Sequence, residues 1–169
     1  MARSIEEKIV DITKSQLERG NYSIQTADIN PEIAMALKMI KTKSGSDGIN
    51  YPDLKLLLVS PTGRRIPAMI ECKGIKGLLC KMNSNDEIDL FLKNGYPNYK
   101  VIKKYAVNGA VHYAYAVLNY CNSYKESIAV GVNGYEENGK LFYEVGVYYI
   151  SKTNGFIPKK IDNLLIYHS

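Results

Sequence analysis

Apolar residues recur at helical spacing from Ser4 to Gly20. Ile5, Ile9, Ile12 and Leu17 share one face, Glu6, Glu7, Lys8 and Lys14 lie elsewhere on the cylinder, and Gly20 stands where a helix stop belongs. After the turn-rich Asn21-Tyr22-Ser23, a second helix is predicted, with Asn30 as N-cap and Pro31 in its first turn. Its apolar positions are Ile33, Met35, Ala36, Leu37, Met39 and Ile40. The stretch from Lys41 to Pro52 is rich in Gly, Ser, Asn and Asp and has no period, so it reads as a loop.

The pattern then changes to strands. Asp53 to Val59 is apolar and strand-like, Ser-Pro-Thr-Gly-Arg-Arg is a turn signal, and Ile66 to Lys73 is a second apolar run, which together predict a β-hairpin. Gly74 to Tyr99 is mixed in character, with a short amphipathic turn near Ile88 to Leu92, and reads as an insertion beside the core. From about Lys103 to Tyr120, small apolar residues (Ala106, Val107, Ala110, Val111, Ala114, Val117, Leu118) predict a helix that lies flat on a sheet. Gly109 inside it costs about 1 kcal/mol relative to Ala, which implies close packing there. Two strands follow, Ser127 to Val132 and Lys140 to Ile150, with Asn-Gly-Tyr-Glu-Glu-Asn-Gly read as the turn between them. Pro158 to Ser169 is too short to classify. Helix, helix, hairpin, helix, strand, strand is an α+β order, a mixed sheet flanked by helices.

Composition bounds this picture. A chain of 169 residues, 46% of them hydrophobic, suits one compact domain spanning 1–169. No apolar run is long enough to cross a bilayer and the N-terminus has no secretory pattern, so a cytoplasmic protein is expected, with no membrane partner. Cys72, Cys80 and Cys121 have no metal-ligand spacing and are expected to be free thiols. A net charge of +5 permits a polyanionic partner.

The hairpin concentrates the candidate chemistry. With Pro61 to Arg65 as its loop, Ser60 faces Ile66 and, along the ladder, Asp53 falls opposite Lys73. Glu71, two residues before Lys73, points to the same face. A slip of one residue would invert every side chain. Two carboxylates supply hard oxygen ligands for Mg²⁺, which holds phosphate oxygens and activates water. The lysine orients that water or offsets charge on phosphorus in the transition state. The tripeptide alone is weak, because acid-any-lysine also occurs at Glu6-Glu7-Lys8 and Asp53-Leu54-Lys55. Only Glu71-Cys72-Lys73 ends an apolar strand whose hairpin partner begins with Pro-Asp.

Pro52-Asp53, the turn and Glu71-Cys72-Lys73 resemble the signature of the PD-(D/E)XK nuclease superfamily. Tyr105 to Leu118 with Tyr124 to Lys140 resembles the N-terminal endonuclease region of fused, type IIG-like restriction-modification proteins, so that the resemblance covers about Ile49 to Ile150. It implies a restriction-endonuclease-like core and Mg²⁺-dependent endonucleolytic hydrolysis of double-stranded DNA, with Mn²⁺ able to substitute. Asp53, Glu71 and Lys73 match the catalytic set, with Asp53 and Glu71 as metal ligands. An acid from the first helix often joins such a site; Glu7 is the match, with Glu6 as rival. Methyltransferase and target-recognition regions do not fit in 169 residues. They are expected as partner domains or subunits of a larger protein, and the homodimer is left open as an assembly. Asp47 in Gly-Ser-Asp-Gly reads as a turn residue before a glycine, with the site as its alternative role. Asn108 and His112, one helical turn apart, can touch phosphate or simply pack. The tyrosines among lysines between Tyr96 and Tyr105 suit phosphate contacts or ordinary half-burial. The alternative function is a non-catalytic DNA-binding or assembly module that keeps the nuclease fold.

Overall fold

The computed structural model describes residues 2–20, 24–25 and 29–161. Both the Asn21 to Ser23 turn and most of the unclassified C-terminal segment lie outside the described residues. Helix α1 (Ile5–Arg19) begins at Ser4, whose hydroxyl accepts from the Glu7 amide while the Glu7 carboxylate accepts from the Ser4 amide, a reciprocal capping box. Gly20 closes it. Helix α2 (Pro31–Met39) starts as its sequence predicts, with the Asn30 side chain accepting from the Ile33 amide at 2.9 Å.

Among the described residues the sheet has six strands in chain order: β1 (Ile24–Gln25), β2 (Leu54–Val59), β3 (Arg65–Lys73), β4 (Glu126–Glu137), β5 (Lys140–Ser151) and β6 (Lys159–Lys160). Neighbours are antiparallel except β3 and β4, which run parallel and are joined through α3 (Tyr99–Lys104) and α4 (Ala106–Tyr120). This is the α+β mixed sheet that the element order predicts.

Alternation sorts the strands into two faces. Leu54, Leu56, Ala68, Ile70, Cys72, Val130, Val132 and Val147 pack on Ile9 and Leu17 of α1. Met69 and Leu57, from the other side, meet α2 and α4 at Ile33, Leu37, Tyr113 and Val117. Ala129, Tyr148 and Ile150 extend that side against Val107, Ala110, Val111, Ala114 and Leu118 of α4. Small residues let α4 lie close to the strands, and it is buried nearly all round.

Three local expectations are corrected. The hairpin loop is Ser60 to Arg64, one residue earlier than expected, so Val59 pairs Arg65 and Leu54 pairs Ile70. Ser60 is drawn into the turn: its amide donates to the Arg64 carbonyl and its hydroxyl accepts from the Arg64 amide. The register moves by two, which keeps each side chain on its predicted face and carries Asp53 toward Glu71 instead of Lys73. The second correction concerns Asn133-Gly134 and Asn138-Gly139, which look alike in sequence. Only Asn138 and Gly139 have positive φ and form the tight turn between Glu137 and Lys140. Asn133 and Gly134 stay within β4. Third, the helix expected from Lys103 is two helices, broken at the extended Tyr105. The Ala106 and Val107 amides donate to the Leu78 and Leu79 carbonyls, so the insertion takes the place of a side-chain cap for α4.

Candidate active site

Asp53 lies immediately before β2, and Glu71 lies near the end of β3 on the face that α4 covers. Where strands β2 and β3 begin to part, the Cys72 amide donates to Asp53 Oδ2 at 2.8 Å, which ties the loop acid to the strand acid. Glu71 is 1% exposed. A Cβ at Gly109 of α4 would stand 3.3 Å from Glu71 Cγ, so that glycine is where the helix makes room for the carboxylate. The close packing expected at Gly109 is therefore packing against Glu71 and against the Ile102 carbonyl, 3.2 Å from the same Cβ.

The Glu71 carboxyl is pushed up to about 8, mainly because burial disfavours its charged form and secondly because Asp53 is bound and like-charged beside it. Lys43 opposes that shift. Its Nζ forms an ion pair with Glu71 Oε2 at 3.0 Å, and neither buried Glu71 oxygen has a hydrogen-bond partner. The Tyr113 phenol borders the same carboxylate and is itself pushed up, by burial first and by Glu71 next. Two close acids, one of them buried and without a hydrogen bond, suit a hard divalent cation better than they suit each other.

Lys73 shares the Glu71 face by alternation, is half-buried and stands beside Asn133 of β4. Gly74 follows it directly, and a Cβ there would stand 2.5 Å from the Glu6 amide, so the first turn of α1 abuts this end of β3. Within that turn Glu7 is committed to the capping box. Among the described residues, no three His, Cys, Asp or Glu side chains come together as a ligand group.

The remaining candidates have structural work. Asp47 is exposed and pairs with Lys41 within its own loop. Asn108 is wholly buried: its Oδ1 accepts from the Lys81 amide, and its Nδ2 donates to the Lys81 and Asp89 carbonyls, which pins the insertion to α4. Asn108→Ala would leave these groups unpaired and is expected to cost about 2 to 3 kcal/mol in chemical denaturation. His112 Nε2 lies 2.9 Å from the Lys41 carbonyl, and burial lowers its pKa, so the neutral ring donates to that carbonyl and holds the loop base. Tyr99 packs edge-on to His112 and lies against Gly45, whose φ is +83°. Cys72, Cys80 and Cys121 are free.

Sequence reasoning passed over Lys43 and Tyr113. Nothing in Lys-Thr-Lys-Ser separates Lys43 from Lys41. Tyr113, however, falls one helical turn after Gly109, a spacing that puts both over the same strand position.

Among curated proteins, the chain is similar to a type II restriction enzyme and methyltransferase, with 145 residues aligned at 47% identity over 86% of this chain. That relative is RM.BcgI of Heyndrickxia coagulans, and the chain spans 19% of its length. No protein-family model matches the chain, and no solved structure matches it. No helix among the described residues is long and apolar enough to cross a membrane.

Proposed function

We propose that this chain is the DNA-cleaving domain of a restriction-modification protein, a Mg²⁺-dependent endonuclease of the PD-(D/E)XK type. The observation that carries the reading is the Asp53 and Glu71 pair near the end of an apolar strand, with both Glu71 oxygens buried and without a hydrogen bond and only Lys43 as a counter-charge. Similarity to a restriction enzyme and methyltransferase supports it independently. Double-stranded DNA is then the substrate, and the methyltransferase and target-recognition parts are the partners.

Asp53 and Glu71 would hold the cation through carboxylate oxygens. Bound there, Mg²⁺ supplies Lewis acidity to a phosphodiester and lowers the pKa of a water. The Cys72 amide fixes Asp53, and α4 shuts solvent away from the inner side of Glu71. Lys73, on the same face, orients the attacking water and offsets charge on the phosphorus. A third ligand, if α1 contributes one, comes from its first turn, where Glu7 joins only by giving up the capping box and Glu6 stands beside Gly74.

Lys73→Ala is expected to reduce cleavage of duplex DNA by roughly a hundredfold or more, with Mg²⁺ or Mn²⁺ present and thermal unfolding unchanged. Full activity in that variant would sink the mechanism. The lack of a third clustered acid among the described residues favours one competing reading, a non-catalytic DNA-binding module that keeps the fold. Duplex binding with no divalent-metal binding and no cleavage would select it.

A further inference from the structure

Lys43 is the unexplained member of the site. It comes from the loop between α2 and β2, far from Glu71 in sequence, yet its ammonium rests on the most buried carboxylate of the site. The loop is built to keep it there. Asn50 Nδ2 lies 3.0 Å from the Leu37 carbonyl and also donates to those of Ile40 and Lys41. His112 donates to the Lys41 carbonyl, and the Thr42 and Ser46 side chains and backbone close a turn around Lys43. Gly45 caps the turn against the Tyr99 ring, too close for any Cβ to fit without the ring moving. Even so, the Lys43 side chain is 28% exposed, so the residue borders solvent as well as Glu71.

Asp53, Glu71 and Lys43 together carry one net negative charge when both acids are ionised. A divalent cation added beside an ammonium already on Glu71 meets repulsion at a few ångströms in a poorly solvated place. A phosphodiester arriving at the mouth of the site changes the balance, because it offers the ammonium an anionic partner outside Glu71.

We infer that Lys43 is an exchangeable counter-cation: without nucleic acid it sits on Glu71 and competes with the divalent metal, and a substrate phosphate draws it off, coupling metal binding to DNA binding. This rests on the reading of Asp53 and Glu71 as the metal-binding pair. Lys43 is thus a positioning residue for that pair, distinct from Lys73, which follows Glu71 on the strand.

The test is calorimetric titration of the full chain with Ca²⁺, a hard cation that takes the same oxygen ligands. It is run at about pH 9, above the raised Glu71 carboxyl, so that proton competition is small. Wild type, Lys43→Gln and Glu71→Gln are compared, each alone and with a short phosphorothioate duplex that resists hydrolysis. Without DNA, Lys43→Gln is expected to bind Ca²⁺ roughly tenfold more tightly than wild type. With the duplex, wild type is expected to gain affinity and Lys43→Gln to gain much less. Equal or weaker Ca²⁺ affinity in Lys43→Gln without DNA, or equal gains in the two proteins with it, would overturn the inference. Undiminished Ca²⁺ binding by Glu71→Gln would instead overturn the carboxylate pair itself, a separate outcome.

Discussion

Glu71→Gln is expected to stabilise the metal-free protein at pH 8 and, on the proposed role of the Asp53 and Glu71 pair, to abolish divalent-metal binding. The native Glu71 carboxyl titrates at about 8, against an ordinary value of 4.5 in the unfolded chain. Between those two pH values the native state holds a proton that the unfolded state releases, so the stability this group contributes is full below pH 4.5 and is lost as pH rises through about 8. At full strength the swing is at most roughly 5 kcal/mol, since each tenfold change in proton affinity is worth about 1.4 kcal/mol. Glutamine keeps the shape, carries no charge and cannot titrate. Urea denaturation in the presence of a chelator should therefore show wild type weakening from pH 5 to pH 8 relative to Glu71→Gln.

On the proposed function, divalent metal is expected to reverse the sign of that comparison. If Asp53 and Glu71 hold a divalent cation as proposed, it would displace the proton on Glu71, so added Mg²⁺ should stabilise wild type at pH 8 and leave Glu71→Gln unmoved. Asp53→Asn provides the intermediate case. Removing the neighbouring charge lowers the Glu71 carboxyl toward its ordinary range, and the pH dependence should become shallower without disappearing, because burial, the larger cause, remains. Parallel pH profiles for wild type and Glu71→Gln would refute the account of Glu71 as a strained, buried acid.

Much of this site is legible in the sequence because its geometry is local. Side-chain alternation along β2 and β3 puts Asp53, Glu71 and Lys73 on one face, and an error of two residues in register leaves that face intact. Helix ends are legible for the same reason: Ser4 with Glu7, and Asn30 with Pro31, act within a turn of themselves. Features set at long range are hidden. Lys43 reaches Glu71 only because a loop folds back over the sheet, and Asn108 is recruited by Lys81 and Asp89, which nothing in the α4 pattern marks. Likewise, choosing between Asn133-Gly134 and Asn138-Gly139 as the turn requires knowing that α1 packs on Gly134. A Cβ at Gly134 would stand 2.1 Å from Ile9 Cδ1.

Gly131→Ala is expected to be the most damaging single methyl addition among the strand glycines, and its neighbour Gly134 shows why. At Gly134 the obstruction is the Ile9 side-chain tip, which can change rotamer, so Ile9→Ala should relieve much of the cost of Gly134→Ala. At Gly131 a Cβ would stand 2.5 Å from the Val107 amide nitrogen and 2.8 Å from its Cα, so the obstruction is the backbone of α4. No rotamer change relieves that contact; the helix must lift. Val107 also fills the space above Gly146, and its amide is tied to the Leu79 carbonyl, so lifting α4 opens packing on two strands and strains the insertion. Overpacking of this kind costs about 1 to 3 kcal/mol and more where backbone must move, and a loss of at least about 3 kcal/mol is expected in urea denaturation. Because Gly131 pairs directly with Glu71, the lifted helix would also expose that carboxyl to water and lower its pKa toward the ordinary range. The variant should therefore lose the raised Glu71 titration, read by carboxyl resonances in NMR, along with its stability. Retention of both would mean that α4 does not need the glycine to seat over the site.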